Sequence, residues 1–569
     1  MSEKEEKDSE EIRVGVFVCS CGSNIGGYVD VKALAEYAEG LPNVVYGMSN
    51  LYTCSETGLA TIKKAIEEHN LNRVIVASCT PRTHEPLFQA TIREAGLNPY
   101  LFEMANIRDQ CSWAHMSEPK EATKKAKSLL NMAVAKARLI EPLNQITLDI
   151  KQKALVIGGG ITGMNVSLLI ANQGYEVFLI EKEKELGGIA KKIHWTNNND
   201  DVQKYLKNLI NKVEDHPNIK IYKKAKIDKI EGYIGNYQTS IKKDNNSMIL
   251  EHGVIIVATG AEESKPTEYL FGKDKRVFTQ LDLEEKISKE TNFKDKTIVM
   301  IQCVGSREKE RPYCSRVCCN DAVKNALIIK EEFPSSQIYI LFRDMRTYGL
   351  NEKYYEQARE KGIIFIRYDV NEKPKVSKAD NNIKVEIRDP ILNEKLLIHS
   401  DYLVLSPAII PRKENVLLAQ QLKVPLNDDG FFLEAHVKLR PVDFSTEGIF
   451  LAGTAHSPKS ISESIIQSYG AASRALTIIS KKIYTAQATV AEVNEELCCG
   501  CGICESTCPY GAVERIKKTI NGEEKLVSFV TEGLCKGCGS CTSACPAGAI
   551  EQKGFKRCQI ISMVDAAID

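Results

Sequence analysis

The chain has 569 residues, of which 75 are basic and 75 acidic, so its formal net charge is zero. This balance removes the electrostatic argument for a nucleic-acid partner, and no stretch approaches the roughly 18 consecutive apolar residues of a membrane span. The opening residues, MSEKEEKDSEEI, are charged and lack the apolar region of a signal peptide. We therefore expect a cytoplasmic protein of three or four domains with a disordered charged tail at 1–11. In that setting the 19 cysteines indicate metal and redox chemistry.

Residues 12–140 alternate apolar stretches such as VGVFV and RVIVAS with amphipathic segments. This pattern predicts a small α/β domain with a parallel sheet. Its cysteines follow strand ends or begin loops; they are Cys19, Cys21, Cys54, Cys79 and Cys111. Because sites in such domains form at the carboxyl ends of strands, one hypothesis is a further cluster or cofactor here. Buried structural thiols and a docking surface for a partner are the alternatives.

A dinucleotide-binding unit opens the predicted domain at 150–487, with the run ALVIGGGITGMNVSLLIANQGYEVFLIEK. Gly158 makes the turn, Gly160 lets the backbone approach a pyrophosphate, and Gly163 permits close packing of helix on strand. Glu181 ends the second strand, where a carboxylate accepts hydrogen bonds from ribose hydroxyls. The alternative is a purely structural glycine turn. The candidate cofactor residues of this unit are Gly158, Gly160, Ile161, Thr162, Gly163, Glu181 and Lys182.

Three later features favour FAD over NAD: a Gly-Gly pair at 187–188, the strand VIIVATGA, and the run GIFLAGTAHSPKS from Gly448. Together they resemble flavoproteins with two dinucleotide-binding domains, such as thioredoxin reductase. That resemblance implies a late glycine, Gly453, on the flavin side, although Thr454 stands where many members carry an aspartate. It adds these candidate cofactor residues: Gly188, Ala258, Thr259, Gly260, Gly453 and Thr454. Lys459 is either a neighbour of the flavin ring or a solvated lysine.

Residues 296–405 match the place of the NAD(P)H domain in such flavoproteins, yet they lack a second GxGxxG. They read CVGSREKERPYCSRVCCNDAV instead, which places Cys303, Cys314, Cys318 and Cys319 within seventeen residues. With Cys314 and Cys318 predicted one helical turn apart, the four thiolates could hold a third cluster. A buried cysteine-rich helix start and a redox disulfide are the alternatives. Nearby arginines favour thiolates in each case.

Residues 488–569 contain the sequence C-x2-C-x2-C-x3-C-P twice, which is the signature of a two-cluster ferredoxin. Three thiolates of each run bind one 4Fe-4S cluster, and the fourth reaches across to the other. The first set is Cys498, Cys501, Cys504 and Cys545. The second set is Cys535, Cys538, Cys541 and Cys508. Structural zinc is the alternative, but zinc sites need neither the third cysteine nor the proline.

Taken together, the motifs CVGSR, YCSRVCC, GGGITGM, VCSCGSNIGGYVDV and SCTPRTHEPLF identify the chain as similar to the A-type subunit of heterodisulfide reductase. The resemblance implies a thioredoxin-reductase-like α/β fold with FAD and 4Fe-4S clusters. It also implies electron input from a hydrogenase or formate dehydrogenase, bifurcation to ferredoxin and a disulfide, B- and C-type partner subunits, and a homodimer within a larger complex. Many members carry an additional ferredoxin insert after a GYIGN segment, and no cysteine lies between 232 and 260 here.

Three functions follow from these motifs. The first is an electron-bifurcating oxidoreductase of the heterodisulfide reductase type. The second is a flavin-dependent oxidoreductase that passes electrons from NAD(P)H to clusters, against which the missing second GxGxxG argues. The third is a non-bifurcating relay protein.

Overall fold

The computed structural model describes residues 11–243, 246–379 and 381–568, which divide into two compact units. One unit comprises residues 1–147 with 485–569, and the other comprises 148–484. The N-terminal and ferredoxin regions therefore share a unit. The predicted disordered tail lies, apart from Glu11, outside the described residues.

A four-stranded parallel sheet of order β2-β1-β3-β4 forms the N-terminal region. Its strands are β1 (Val14–Cys19), β2 (Val44–Asn50), β3 (Arg73–Ser78) and β4 (Phe102–Asn106). Its helices are α1 (Ser23–Gly26), α2 (Val31–Glu39), α3 (Glu56–Glu68), α4 (Pro81–Glu94) and α5 (Pro119–Ala137). Strands β1 and β3 are short apolar runs that are buried along almost their whole length, as expected for a sheet covered on both faces.

The first half of the second unit is built on a five-stranded parallel sheet of order β23-β12-β6-β7-β8. Its elements up to β13 follow a short strand β5 (Ile146–Asp149): β6 (Lys153–Ile157), α6 (Ile161–Ala171), β7 (Glu176–Ile180), α7 (Val202–Glu214), β8 (Ile219–Tyr222), β9 (Ala225–Tyr233), β10 (Asn236–Lys243), β11 (Asn246–His252), β12 (Val254–Val257) and β13 (Ala261–Glu263). Strands β9 to β11 form a separate antiparallel sheet.

A second five-stranded parallel sheet, of order β14-β21-β15-β16-β17, follows in the same unit. Its region contains β14 (Val277–Thr279), α8 (Gln280–Ser288), β15 (Thr297–Val304), α9 (Cys318–Glu332), β16 (Gln337–Phe342), α10 (Glu352–Glu360), β17 (Ile364–Arg367), β18 (Lys375–Lys378), β19 (Ile383–Asp389), β20 (Glu394–Ser400) and β21 (Tyr402–Pro407). This sheet includes β14, so the second nucleotide-type domain begins before residue 296, where the sequence places its start.

The chain then returns to the first sheet and runs into the ferredoxin region. The returning elements are β22 (Ile409–Pro411), α11 (Asn415–Leu422), β23 (Ile449–Leu451), α12 (Ile461–Ile479) and β24 (Ile483–Ala486). The ferredoxin region contains β25 (Ala491–Val493), α13 (Ile503–Thr507), β26 (Val513–Ile520), β27 (Glu523–Val530), α14 (Ser540–Ala544), β28 (Ile550–Gln552) and α15 (Arg557–Ile568). The segment TAQATVAEVNEEL at 485–497, which from its sequence we expect to link the FAD and ferredoxin domains, contains β25, which pairs with β28.

Candidate flavin and cluster sites

The glycine turn between β6 and α6 has the geometry that a dinucleotide requires. Gly158 has a φ of +111°, and a Cβ at this position would lie 2.3 Å from the carbonyl oxygen of Ala258. A Cβ at Gly163 would lie 1.9 Å from the carbonyl oxygen of Gly158, so the helix packs directly on the turn. At Gly160, by contrast, a Cβ would meet no heavy atom within 4 Å. The turn is therefore tight on its inner side and open at the point where a pyrophosphate would approach.

Glu181 follows β7 and is 7% exposed. One of its carboxylate oxygens accepts a hydrogen bond from Gly159 N at 2.7 Å, and the other accepts one from Glu183 N at 2.8 Å. The carboxylate thus holds the glycine turn in place and keeps lone pairs for ribose hydroxyls. Lys182 points elsewhere, because its ammonium pairs with Glu414 at 2.8 Å.

Two further glycines pack against this turn. A Cβ at Gly188 would lie 3.4 Å from Gly160 Cα, and a Cβ at Gly453 would lie 2.4 Å from Thr162 Oγ1. Both glycines have positive φ, of +56° and +74°. Residues Ile161 and Thr162 form the first turn of α6, so the predicted segments around 160, 188 and 453 meet at one helix N-terminus.

The ATG segment after β12 completes the same site. Gly260 has a φ of +77°, and a Cβ there would lie 3.7 Å from Thr454 Oγ1. The carbonyl of Thr259 accepts a hydrogen bond from Arg412 Nε at 2.8 Å. Ala258 supplies the carbonyl against which Gly158 packs. The structure therefore brings together all the predicted cofactor residues except the Lys182 side chain.

Lys459 is fixed by hydrogen bonds rather than solvated. Its ammonium donates to the carbonyl of Gly453 at 2.9 Å and to the carbonyl and hydroxyl of Ser457 at 3.1 and 3.2 Å. Burial, with a further contribution from Arg316, lowers its pKa to about 8. An ammonium with a lowered pKa beside Gly453 suits a neighbour of the flavin ring.

The four cysteines of residues 303–319, hereafter the cysteine loop, lie close together. Cys303 is near the end of β15, Cys318 and Cys319 begin α9, and Cys314 lies in the intervening loop. Burial and the neighbouring Cys319 thiol raise the pKa of Cys303 to about 11, while Arg307 opposes this shift. No disulfide links them, since all 19 cysteines of the chain lie within the described residues as free thiols.

The expectation that Cys314 and Cys318 are one helical turn apart is wrong. Helix α9 begins only at Cys318, and Arg316 has a left-handed φ of +61° that no α-helix accommodates. Cys303 and Arg307 also have left-handed φ values, of +61° and +60°. Three such residues within one loop indicate a backbone bent around the thiols.

The two cysteine sets of the ferredoxin region line two separate cavities. Lining the first are Cys498, Cys501, Cys504 and Cys545. Lining the second are Cys508, Cys535, Cys538 and Cys541. The fourth cysteine of each run thus lies with the first three of the other run, as the ferredoxin arrangement requires. Cys499 also lines the first cavity but is exposed, and Cys558 lies exposed on α15.

Backbone amides point at the sulfurs of both sets. Ser528 N and Ala549 N donate to Cys498 and Cys545 Sγ in the first set, at 3.4 and 3.3 Å. Matching bonds in the second set run from Ala491 N to Cys535 Sγ and from Ala512 N to Cys508 Sγ, at 3.4 and 3.3 Å. Such donors stabilise thiolate charge and raise the reduction potential of a bound cluster.

A fourth group of cysteines, drawn from three separate segments of the chain, lies at the carboxyl edge of the N-terminal sheet. Cys19 ends β1 and Cys21 follows it, while Cys54 and Cys79 follow β2 and β3. Burial raises the pKa of Cys54, and the adjacent Cys19 and Cys21 thiols raise it further. Cys111 does not join them, because its thiol donates to the carbonyl of Ala122 at 3.0 Å in the core.

Polar atoms around this N-terminal group are buried without a hydrogen-bond partner. They are Asn50 Oδ1, Thr53 Oγ1 and Ser78 Oγ. A buried polar atom without a partner is costly, so three such atoms around one group of thiols call for an explanation, and a bound group is one. The sequence signal for this site was the recurrence of cysteine after successive parallel strands. Within the described residues, no three His, Cys, Asp or Glu side chains are placed to hold a single metal ion.

Comparison with known proteins agrees with this geometry. Residues 152–301 match the family model of pyridine nucleotide-disulphide oxidoreductases, and residues 497–549 match that of the 4Fe-4S dicluster domain. Thioredoxin reductase of T. acidophilum aligns with 57% of this chain and 99% of its own at 16% identity and a TM-score of 0.41.

Several relatives align with this chain over about nine-tenths of both sequences. The A 2 iron-sulfur subunit of the CoB--CoM heterodisulfide reductase of Methanopyrus kandleri is 39% identical over 607 residues, covering 90% of this chain and 92% of the relative. The A-type subunit of the H(2):CoB-CoM heterodisulfide,ferredoxin reductase of Methanothermobacter thermautotrophicus is 35% identical over 611 residues, with the same two coverages. The A-type subunit of the H(2)/formate:CoB-CoM heterodisulfide,ferredoxin reductase of Methanococcus maripaludis is 32% identical, covering 88% and 90%.

Two nucleotide-type sheets joined to a dicluster domain define an oxidoreductase that uses FAD and 4Fe-4S clusters. At these identities and coverages, the chain belongs to the family of heterodisulfide reductase A-type subunits. The predicted family, fold class and cofactor types are thereby confirmed. The 607 aligned residues exceed the 569 of this chain, so the Methanopyrus relative has segments without a counterpart here. No helix within the described residues is long and apolar enough to cross a membrane.

Proposed function

We propose that this chain accepts electron pairs from a hydrogenase or formate dehydrogenase partner and delivers single electrons along two branches. One branch leads to ferredoxin, and the other leads to a disulfide or another acceptor of higher potential. The printed names of two relatives support the donors and acceptors, since they combine H2 or formate with heterodisulfide and ferredoxin. We place the protein in the cytoplasm, as a homodimer within a larger complex.

The observation that carries this proposal is the position of the cysteine loop. It connects the central strand of the second sheet, β15, to its helix α9, which is where a nucleotide-binding domain has its glycine turn. In place of a tight turn, the chain has thirteen residues between β15 and α9, with cysteines on both sides. The second sheet thus offers thiolates where a nicotinamide cofactor would bind.

The residues of the chain have distinct parts in this function. When bound, FAD supplies the exchange between electron pairs and single electrons, and each 4Fe-4S cluster supplies one-electron storage. Gly158 and Gly163 would fix the turn and the packing of α6 on it, Gly160 would let the pyrophosphate approach the N-terminus of α6, and Glu181 would orient the ribose. Lys459 places positive charge next to Gly453, which favours negative charge on a reduced ring.

We also assign a cluster to the N-terminal group of Cys19, Cys21, Cys54 and Cys79. The support is their convergence at one sheet edge together with the three buried polar atoms around them that lack a partner. With the ferredoxin pair and the cysteine loop, the chain then carries four clusters. Because the ferredoxin insert of many relatives is absent, delivery to B- and C-type subunits passes through these four sites or through a second copy of the chain.

The test is anaerobic purification followed by iron analysis and reductive titration. We expect about 16 iron atoms per chain, at four for each 4Fe-4S cluster, and about 12 in each of the variants Cys318→Ser and Cys79→Ser. Cys558→Ser is the matched control and should keep all 16, because this exposed thiol lies outside the four sets. The flavin should take up two electrons in one step with crossed one-electron potentials. Two well-separated one-electron steps with only about eight iron atoms would reduce the chain to a relay.

A further inference from the structure

Arg316 connects the cysteine loop to residues 453–463, hereafter the flavin segment. Its backbone N–H donates to Cys314 Sγ at 3.3 Å. Its guanidinium donates to the carbonyl of Pro458 at 3.2 Å and to Glu463 Oε1 at 2.7 Å. A single residue therefore contacts a cysteine of one site and two residues of the other.

The backbone of Arg316 is in the left-handed region, and in this conformation its amide faces Cys314 while its side chain reaches the flavin segment. A left-handed φ of +61° is costly in a residue with a side chain and persists only where other contacts fix it. Tyr348 contributes one of these contacts, because its hydroxyl accepts a hydrogen bond from Arg316 Nη2 at 2.9 Å. The guanidinium is 38% exposed and the Glu463 side chain 34%, so solvent screens the pair only in part.

Glu463 also binds the residue that caps the N-terminus of helix α12. Its second carboxylate oxygen accepts a hydrogen bond from Ser460 N at 2.8 Å, while Ser460 Oγ accepts one from Glu463 N at 3.2 Å, which forms a capping box. Lys459 is the residue before this cap, and its ammonium donates to the carbonyl of Gly453. Hydrogen bonds thus link Cys314 to Arg316, Arg316 to Glu463 and Glu463 to Ser460. The residue before Ser460 along the chain, Lys459, donates to Gly453.

We propose that Arg316 is a positioning residue that couples the charge of the cysteine-loop cluster to the flavin site, so that the reduction potentials of the two sites depend on each other. The proposal rests on the proposed flavin and cluster sites. One electron moves from the flavin site to the cysteine loop, which gains the negative charge that the flavin site loses, and Arg316 carries neither electron nor proton. A guanidinium suits this part because its planar fork holds several partners at once, whereas a lysine ammonium does not.

The test compares Arg316→Gln, Arg316→Lys and Glu463→Gln, with Arg388→Gln as the matched control. Arg388 is an exposed residue of strand β19 in the same unit and pairs with Glu372 at 3.2 Å, so its loss changes the net charge equally. The measurements are iron content, the EPR signal of the reduced cluster that Cys318→Ser abolishes, and the flavin absorbance in a redox titration.

We expect Arg316→Gln to lower the ratio of reduced to oxidised cysteine-loop cluster about tenfold at a fixed potential, equal to about 59 mV for one electron. The flavin ratio should fall in the same direction, because a cation near each site stabilises the reduced form. Glu463→Gln should move both ratios upward. Its effect on the cluster should disappear in the double variant with Arg316→Gln, since the two side chains act as one unit. Arg316→Lys should show an intermediate shift, and Arg388→Gln none.

The proposal is overturned if Glu463→Gln shifts the flavin and leaves the cluster signal unchanged, or if Arg316→Gln shifts the cluster alone. Should Arg316→Gln lose iron, Glu463→Gln still decides the question, because Glu463 lies on the flavin segment. These failures differ from a failure of the proposed function. In that case Cys318→Ser would leave the iron content unchanged, and no cysteine-loop cluster would exist for Arg316 to influence.

Discussion

At the residue scale, two glycines of the dinucleotide turn have different roles: Gly163 is required for folding and Gly160 for cofactor binding. Gly163→Ala should destabilise the protein even without cofactor, by about 2 kcal/mol or more, because its Cβ would lie 1.9 Å from a backbone oxygen that cannot move away. Gly160→Ala should leave the stability of the apoprotein unchanged, since its Cβ meets nothing within 4 Å, but it should weaken FAD binding at least tenfold.

Thermal denaturation of the apoproteins and FAD titration by fluorescence measure these two effects. Equal loss of stability in both variants would show that the open side of the turn is packed in solution, and unchanged FAD affinity in Gly160→Ala would place the pyrophosphate elsewhere.

Glu263 on β13 gives the stability a pH dependence. Burial raises its pKa from 4.5 to about 7, with Asp282 and Asp321 adding to the shift and Thr279 and Lys192 opposing it. In the folded state the carboxyl therefore keeps its proton up to about pH 7, whereas in the unfolded chain it loses the proton near pH 4.5. The free energy of unfolding is therefore highest below pH 4.5, where Glu263 is protonated in both states. It falls as the pH rises to about 7, because the unfolded chain then releases a proton that the folded state still holds.

Glu263→Gln should remove that loss. Between about pH 5 and 7, the free energy of unfolding of the wild type, measured by urea titration, should fall relative to that of the variant by up to roughly 3 kcal/mol, and the two should run parallel above pH 7. The control is Glu262→Gln on the same strand, a carboxylate that is 44% exposed and pairs with Arg412 at 2.7 Å. A wild-type slope retained in Glu263→Gln would mean that another group titrates.

At the element scale, the buried pair Lys136–Glu103 joins α5 to β4. The Lys136 side chain is 4% exposed, lies 2.7 Å from Glu103, and its ammonium is 3.9 Å from the ring centroid of Phe555 in the ferredoxin region. Helix α5 also contacts α15, because Asn131 Nδ2 donates to the carbonyl of Ala566 at 2.8 Å. This helix is thus the element on which the N-terminal and ferredoxin regions of one compact unit meet.

Glu103→Gln should lower the melting temperature of this unit markedly, because a buried ammonium without its anion costs about 3 to 5 kcal/mol. The double variant Glu103→Leu with Lys136→Met should recover most of the loss. Glu94→Gln, which breaks the exposed pair of Lys63 and Glu94, is the control and should leave the melting temperature almost unchanged, because solvent screens that pair. Equal effects of Glu103→Gln and Glu94→Gln would contradict the role of burial.

At the scale of the whole molecule, we expect the cysteine loop to decide which electron donors the protein accepts. Since that loop stands where a second glycine turn would bind NAD(P)H, we expect neither NADH nor NADPH to bleach the flavin of the anaerobic protein. A hydrogenase or formate dehydrogenase with its substrate should bleach it, and stopped-flow absorbance measures both. Rapid bleaching by NADH alone would favour a plain NAD(P)H oxidoreductase.

Much of the fold and the site could be predicted from the sequence because the signals are local. The glycines of the turn at 158–163 and the cysteine runs at 498–508 and 535–545 each have their spacing fixed within a few residues, and backbone geometry over that length has few solutions. Even the exchange of the fourth cysteine between clusters follows from such spacing. The helical interpretation of Cys314 and Cys318 failed because sequence separation alone does not reveal a left-handed residue between them.

By itself, then, the sequence determined the two ferredoxin motifs, the dinucleotide turn and the family. Only the tertiary structure decided which distant groups act together. Cys19, Cys54 and Cys79 converge because parallel strands end at one edge of the sheet, and Arg316 reaches Glu463 across 147 positions of the chain because two domains of one unit pack side by side. Contacts of this kind depend on packing, which leaves no periodic trace along the chain.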